Sequence, residues 1–414
     1  MIKNEFIAKI EGHGSLNVNW QKNKVQLNIL EGERLFEGML VGRTCEEAHW
    51  ITPRICGVCP VAHHIASVRA AEAALGIIPN PTTELLRELL LCGQIIQSHF
   101  LHLFFLSLPD YIGLDRGTEL AKYDPTSFKL ALSLKEVSDE IVFLVGGRSI
   151  HPMTTTIGGF HKIPDKESLN KLLKKLKSTE TAAKKTVELF SSLNYPELKV
   201  DLELISQHGL SIVSVSSGKV SECKVKKSLI KNYKKDFEEI VKNYSTAKFA
   251  RYKKREALTG ALARLATSKN YKEYKEKIDF GNPFFNNLAQ AFEILIYHQK
   301  AQNIIEKLFK SKLDSSLAKP PLNPPLKGIG AVEAPRGGLY HELHLKTDSG
   351  KKSDKNSIII YANILTPTVQ NLTSIEKSSQ VLLDKSKNRS PKERERLLKM
   401  LIRAYDPCIT CAVH

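Results

Sequence analysis

Two Cys-x-x-Cys motifs, separated by almost the whole chain, constrain this sequence more than any other feature. Cys56 and Cys59 form the first pair, and Cys408 and Cys411 form the second. Both sulfurs of such a motif can reach one metal ion, so two motifs supply four thiolates to one centre. The sequence therefore predicts a fold that brings its two ends together. Residues 408–414 are expected to be buried and immobile, although chain ends usually fray.

Composition favours a globular protein of a reducing compartment. The 414 residues are 42% hydrophobic, enough for two or three ordinary domains or one large core. Seven cysteines are an odd number and a low density, which is typical of free or metal-bound thiols rather than disulfides. There is no run of about 18 apolar residues and no apolar signal segment after Met1. We therefore expect a cytoplasmic protein without a transmembrane segment.

The net charge of +17 permits contact with nucleic acid, an anionic membrane or an acidic partner. The lysines concentrate in residues 162–254 and 351–392, mixed with Glu and Ser and with few aromatic residues. Nucleic-acid grooves interleave basic and aromatic side chains, whereas mixed charged segments are typical of a solvated surface. The sequence therefore predicts no nucleic-acid partner.

The hydrophobic pattern predicts a mainly α protein with small β regions, an α+β fold in which a bundle of long helices encloses the metal site. Polar and apolar residues alternate in residues 5–42, which predicts an N-terminal antiparallel sheet. Apolar residues at helical spacing predict helices at residues 62–75, 82–108, 127–144, 166–193, 286–310 and 391–404. Alternation returns in residues 200–220, 329–345 and 358–365, so a second β region is expected near the C-terminal third.

We expect residues 1–414 to form a single domain, because the proposed ligands come from both ends. Its predicted segments are an N-terminal β region (1–50), a helical core with the first cysteine pair (51–195), a β insertion with a long helix (196–325), and strands with a C-terminal helix and the second cysteine pair (326–414).

The simplest interpretation of two Cys-x-x-Cys pairs is a structural zinc site. Structural zinc usually stabilises a short segment that lacks a sufficient hydrophobic core, however, and a chain of this length can form a large core without a metal ion. His63, His64 and Asp406 also lie close to the cysteines in the sequence, which suits a reactive metal centre better than a closed one. Four soft thiolates suit nickel, iron or an iron-sulfur centre, so the residues alone leave the metal open.

The residues around the cysteines resemble a known family. The motifs R-x-C-G-x-C-x-x-x-H, from Arg54 to His63, and D-P-C-x-x-C-x-x-H, from Asp406 to His414, are together similar to those of the large, catalytic subunit of the nickel-iron hydrogenases. Further blocks resemble that family in the same order along essentially the whole chain: Glu11-Gly12-His13, Arg34-Leu35-Phe36-Glu37-Gly38, His99 to Asp110, Gly147 to Pro152, Glu333-Ala334-Pro335-Arg336-Gly337 and Pro367-Thr368-Val369-Gln370-Asn371. One departure is Leu35, which stands where the family usually has Gly.

The resemblance implies a hydrogenase that splits or forms dihydrogen heterolytically at a nickel-iron centre. Cys56 and Cys408 would be terminal ligands of nickel, and Cys59 and Cys411 would bridge nickel to an iron that carries carbon monoxide and cyanide. Cys408 would also accept the proton released from dihydrogen. Glu11 would relay that proton outward; its plainer interpretation is a surface glutamate in a turn.

Further site residues are implied by the same resemblance. Arg336, Asp110 and Asp406 would form a canopy of charges over the metals, although an arginine in a Pro-Arg-Gly-Gly turn can also be solvated. Thr368, with Pro367 beside it, would donate a hydrogen bond to a cyanide. His63 would contact a bridging sulfur, or else be a packed helix histidine.

A second metal ion is also implied. Glu37, His414 and the backbone carbonyl of Ile364 would bind magnesium or a similar divalent ion near the C-terminus. The family has no role for Cys45, Cys92 or Cys223.

The family also implies partners. The patterned cysteines are all used at the active site, so electrons must leave through a separate iron-sulfur small subunit, with further electron-transfer subunits beyond it. The compact length and the sequence from Cys59 to His64 are most consistent with a cytoplasmic, cofactor-coupled branch of the family. Two alternatives stay open from the residues: a homologous redox-complex subunit that has lost the metal, and a zinc-stabilised scaffold protein.

Overall fold

The N-terminal antiparallel sheet is present as predicted. The computed structural model describes residues 2–222, 225–347, 354 and 356–414. Its first sheet has the order β1-β2-β3, with β1 (Ile2–Ile7), β2 (Gly14–Asn19) and β3 (Lys24–Ile29). Buried and half-buried side chains alternate along β2, because successive side chains of a strand point to opposite faces.

Three helices carry the chain from this sheet through the first cysteine pair. They are α1 (Phe36–Leu40), α2 (Cys45–Ile51) and α3 (Pro60–Leu75). Thr44 and Glu47 form a capping box at the start of α2. A 3-10 turn, Thr52–Ile55, then leads into Cys56, and α3 begins directly after Cys59 with Pro60 in its first turn.

The next segment supplies most of the helical bundle. It contains α4 (Pro81–Leu101), α5 (Leu108–Ile112), α6 (Leu120–Tyr123), α7 (Pro125–Gly146), the short strands β4 (Thr155–Thr156) and β5 (Gly159–Phe160), and α8 (Lys166–Ser191). A π-helical turn, His102–Ser107, joins α4 to α5. The predicted helix at residues 82–108 thus continues to Ile112.

A small sheet and a long, mostly buried helix follow. The elements are β6 (Glu203–His208), β7 (Ser211–Ser216), β8 (Lys226–Leu229), α9 (Tyr233–Asp236), β9 (Phe237–Ile240), β10 (Phe249–Tyr252), β11 (Ala257–Thr259), α10 (Ala261–Thr267), α11 (Lys272–Lys275) and α12 (Asn286–Lys310). The four-stranded sheet has the order β11-β6-β7-β8, with β11 and β6 parallel. Helix α12 packs against α4 and α8 and closes the bundle.

The last segment returns to the first cysteine pair. It comprises β12 (Lys327–Ala334), β13 (Gly337–Lys346), β14 (Ile358–Leu365), α13 (Pro367–Lys385), α14 (Pro391–Ala404) and α15 (Ile409–Ala412). The stretch at residues 329–345 is a hairpin that turns at Pro335 and Arg336, and α13 is a helix that the hydrophobic pattern did not predict. About 52% of the chain is helical, which confirms the α+β class.

One helical stretch, Pro81–Ile112, is long and apolar enough to cross a membrane by length and composition alone. Within its most apolar 18-residue window, 72% of the residues are buried inside the fold. This burial is explained by packing of α4 against α7 and α12.

Helix α3, which begins directly after the first cysteine pair, lies directly on β12. Two glycines permit this approach, because a Cβ at Gly330 would stand 2.0 Å from the Ala66 carbonyl oxygen and one at Gly328 would stand 2.1 Å from the Ala70 carbonyl oxygen. Glycine in a strand often marks such close contact with another backbone. The contact fixes α3 relative to the hairpin that carries Arg336.

We predict that Gly330→Ala will destabilise the protein by about 3 kcal/mol, because the added methyl group must push two backbones apart. Urea unfolding of the full chain will measure the change. Gly218→Ala is the matched control, since its Cβ would meet open space. Equal stability of the two variants would contradict the tight contact between α3 and β12.

Candidate metal centre

The four patterned thiols come together in the interior. All four sulfurs lie within 4.8 Å of one another, and all four cysteines are buried. The Sγ atoms of Cys56 and Cys408 are 3.3 Å apart, as are those of Cys59 and Cys411, and the Cys408 and Cys411 sulfurs are 2.8 Å apart. Such a compact set of soft donors can hold one or two thiophilic metal ions.

Short backbone contacts position the second cysteine pair. The amide of Cys408 donates to Thr368 Oγ1 at 3.0 Å, and the amide of Ile409 donates to the Glu11 carbonyl at 2.9 Å. Glu11 and Cys408 also form an isolated parallel β-bridge. The second motif is therefore held between the N-terminal sheet and the first turn of α13.

The thiols influence one another's protonation. The pKa of Cys56 is held well below its ordinary value, chiefly because the Cys408 thiol hydrogen-bonds to its sulfur. Burial raises the pKa of the Cys408 and Cys411 thiols well above the ordinary value. The cluster thus favours a thiolate at Cys56 with protons on its neighbours, and a metal cation would replace those protons.

His63 lies beside this cluster. Its Nε2 is 3.7 Å from Cys411 Sγ, and its Nδ1 is 3.2 Å from Nε2 of His341. Burial lowers the pKa of His63 to about 3, so the ring is neutral at physiological pH. His341 was missed in the sequence, where the only signal is its place on the alternating pattern of β13.

Arg336 reaches the centre from the turn between β12 and β13. Its Nε donates to the Asp406 carbonyl at 2.6 Å, and its Nη2 donates to Asp406 Oδ1 at 2.8 Å. The buried Nη1 has no hydrogen-bond partner among the residues that the structure describes. A buried donor without an acceptor is costly, so this atom fits a bound group that accepts a hydrogen bond.

Asp110, predicted in the same canopy, has different partners. Both of its carboxylate oxygens accept from Arg403 Nη1 at 2.8 Å, and Oδ1 also accepts from Lys9 Nζ. Asp110 therefore holds Arg403, which lies three residues before Asp406. Its hydrogen bonds do not go to Arg336. Charge pairing with Arg403 explains these partners, and the place of Asp110 in the canopy stays a prediction.

The Glu11 carboxylate contacts the second motif. Its Oε2 accepts from Cys408 Sγ at 2.9 Å and from the Thr410 amide at 3.2 Å, and its Oε1 accepts from the Thr410 hydroxyl at 2.5 Å. Glu11 is half-buried. A carboxylate in this place can take a proton from the Cys408 thiol.

Glu37, Ile364 and His414 meet on the other side of the second motif. Glu37 Oε1 accepts from the Ile364 amide at 2.7 Å. The two ring nitrogens of His414 face carbonyl oxygens, Nε2 that of Ile364 at 2.8 Å and Nδ1 that of Cys411 at 2.7 Å. A neutral imidazole carries one N–H and can donate to only one of these oxygens, so its other nitrogen is available to bind a cation together with the Ile364 carbonyl.

A small, largely closed cavity adjoins the thiols. Its walls include Pro335, Leu339 and Pro367, with Arg336 and Thr368 as the polar residues, beside His63 and three of the cysteines. The Thr368 hydroxyl accepts from the Cys408 amide and keeps its own proton to donate. The cavity is thus apolar with two hydrogen-bond donors.

The fold and site define a protein that gathers four cysteines from both ends of the chain around one buried metal centre. The family model described as nickel-dependent hydrogenase matches residues 34–131 and 199–414. The chain belongs to that family, whose members are oxidoreductases acting on dihydrogen, and it is of the large-subunit kind.

Individual relatives match along almost the whole chain. The alpha subunit of sulfhydrogenase 1 from Pyrococcus furiosus is 34% identical, and the match covers 99% of this chain and 97% of the relative. The matching chain of the F420-non-reducing hydrogenase from Methanothermobacter thermautotrophicus is 30% identical, with 99% and 94% covered. A solved NAD+-reducing [NiFe]-hydrogenase shares the fold, with a TM-score of 0.84, 22% identity, and 100% and 99% of the two chains covered.

Proposed function

We propose that the four cysteines hold a nickel-iron centre whose iron carries carbon monoxide and cyanide. The observation that carries this proposal is the unpaired Arg336 Nη1 beside four buried thiols, because a cyanide nitrogen is the acceptor that this donor lacks within the described part of the chain. Thr368 offers a second donor in the same apolar cavity. Cys56 and Cys408 would bind nickel alone, and Cys59 and Cys411 would bind both metals.

When bound, nickel and iron supply the two-electron redox chemistry that interconverts dihydrogen with two protons and two electrons. The protein's own residues manage the protons. Cys408 Sγ holds a proton and passes it to Glu11 Oε2, 2.9 Å away. Asp406 holds the Arg336 guanidinium over the thiols, and His63 orients toward the Cys411 sulfur.

We also propose a divalent ion, magnesium or similar, held by Glu37, the Ile364 carbonyl and His414. His414 Nε2 and the Ile364 carbonyl oxygen lie 2.8 Å apart, which supports a cation bound by both groups. Magnesium prefers oxygen ligands such as the Glu37 carboxylate and the Ile364 carbonyl. The ion would anchor the last residue of the second motif.

The chain further requires an electron-transfer partner. Within the described residues, Cys45 and Cys92 are free and buried, and neither belongs to the group of cysteines that could hold a metal ion, so neither suits an iron-sulfur cluster; Cys223 lies outside those residues. We infer an iron-sulfur small subunit, with further electron-transfer subunits, in the cytoplasm. The names of the F420-non-reducing and NAD-reducing relatives, each a single subunit of a larger hydrogenase, support an assembly of several subunits. Residues 1–414 would act as one domain.

Metal analysis with infrared spectroscopy tests the centre. We expect nickel and iron in equal amounts, with absorption bands of bound carbon monoxide and cyanide. Cys408→Ser should lose the nickel and hydrogen oxidation, because one of four ligands is removed. Zinc alone would indicate the scaffold alternative, and a protein without metal would indicate a redox-complex subunit that has lost its centre.

For the proton route, we predict that Glu11→Gln will lower hydrogen oxidation about 100-fold or more while nickel content and infrared bands are retained, because general acid-base catalysis contributes about 10²- to 10⁴-fold. Glu31→Gln is the matched control, since Glu31 accepts from the His13 amide near the same loop. Full activity of Glu11→Gln would exclude Glu11 from the route.

For the divalent ion, Glu37→Gln should reduce the magnesium content of the purified protein and lower its thermal stability, because a carboxylate ligand is replaced by a neutral amide. Elemental analysis will measure the ion. Glu342→Gln serves as control, because that carboxylate accepts from Tyr233 and pairs with Lys234. Unchanged magnesium in Glu37→Gln would contradict the site.

A further inference from the structure

We propose that Arg34 is a positioning residue that clamps the two cysteine motifs together. A single guanidinium nitrogen, Nη2, donates to the Ile55 carbonyl at 2.7 Å and also to the Thr410 carbonyl. Ile55 directly precedes Cys56, and Thr410 directly precedes Cys411. One side chain therefore bridges the two ligand-bearing segments, which are more than 350 residues apart.

The bridge matters because the two motifs have few other links. Among the described residues, the backbone hydrogen bonds include none that joins residues 52–60 directly to residues 406–414. The thiols themselves meet, but an S–H group is a weak hydrogen-bond donor, so contacts among the sulfurs alone hold the two segments only loosely. A cationic donor that holds both segments before the metal arrives preorganises the ligand set.

Two further contacts fix Arg34 in place. Its backbone amide donates to the Val413 carbonyl at 3.0 Å, and its Cζ lies over the Phe36 ring at 5.2 Å from the centroid. The next residue, Leu35, has φ of 53°, in the left-handed region that a leucine disfavours. Strained residues of this kind persist where surrounding contacts over-determine the backbone, often at functional sites.

The role differs from the proposed functions of the other residues, because Arg34 touches neither a thiol nor the small cavity. It acts on carbonyl oxygens one residue before a ligand in each motif. A lysine cannot present the same planar, stacked donor, so the guanidinium is specifically suited to bridge two fixed carbonyls. The proposal rests on the assignment of the four thiols to one metal centre.

Cobalt binding tests the clamp without enzyme activity. The full chain, prepared reduced and free of metal, is titrated with Co²⁺ alone, and sulfur-to-cobalt charge-transfer absorption reports the number of bound thiolates. We expect Arg34→Met to weaken Co²⁺ binding about tenfold or more, which is the usual effect of losing a group that orients metal ligands.

Arg394→Met is the matched control. Arg394 is also half-buried, lies over an aromatic ring with its Cζ 4.9 Å from the Trp20 centroid, and donates to a backbone carbonyl, that of Leu383, at 3.1 Å. These contacts, with Trp20 and Leu383, do not involve the thiol cluster. Thermal unfolding of both variants is measured in parallel, and Arg394→Met should keep wild-type Co²⁺ affinity even where its unfolding temperature falls equally.

The outcomes separate the clamp from the metal assignment. Equal Co²⁺ affinity in wild type and Arg34→Met would overturn the clamp alone. A wild-type chain that binds no Co²⁺ through four thiolates would overturn the centre and the clamp together. If Arg34→Met does not fold, Arg34→Lys keeps the charge and one carbonyl contact; intermediate affinity would support the clamp, and unchanged affinity would refute it.

Discussion

The capture of residues 408–414 is the constraint on which the rest of the site depends. Ordering this segment costs conformational entropy for every residue, and each hydrogen bond contributes only about 1 kcal/mol net. This segment therefore needs several anchors at once, and it has them from the N-terminal sheet through Glu11, from α13 through Thr368 and from the loop before α1 through Arg34. Only when all three regions are folded does the second cysteine pair have a defined place.

The buried charges near the thiols follow the same logic. Arg336 and Asp406 are almost fully buried and paired, and removing either would leave an uncompensated charge in a medium of low dielectric constant. Asp406 belongs to the second motif itself, so the pair also ties the captured segment to the β12–β13 hairpin. Close packing of α3 on Gly328 and Gly330 of β12 brings the first motif to the same hairpin. The hairpin thus sets the distance between the two motifs.

The sequence was sufficient to predict candidate site residues that belong to a recognisable motif. Spacing and family motifs mark the four cysteines, His63, Glu11 and Glu37 as candidates, and the structure brings them to one region. It was insufficient where a contact depends on tertiary packing. Nothing in the local sequence indicates that Asp110 pairs with Arg403 or that His341 meets His63. The Pro-Arg-Gly-Gly turn was visible in the sequence, but the pairing of the strands on its two sides into a hairpin was not predicted. Helix α13 was missed because its polar side chains are buried against neighbouring elements, which obscures the helical period.

The separation of the motifs also has a consequence for how the centre forms. Each Cys-x-x-Cys pair alone offers two thiolates, too few for a stable four-ligand site, so a thiophilic ion meets an incomplete set until the final residues dock. Closing a loop of this length costs entropy, and the packing of the intervening helices α4, α7, α8 and α12 must offset it. A centre built from two such distant motifs therefore couples metal binding to completion of the whole fold.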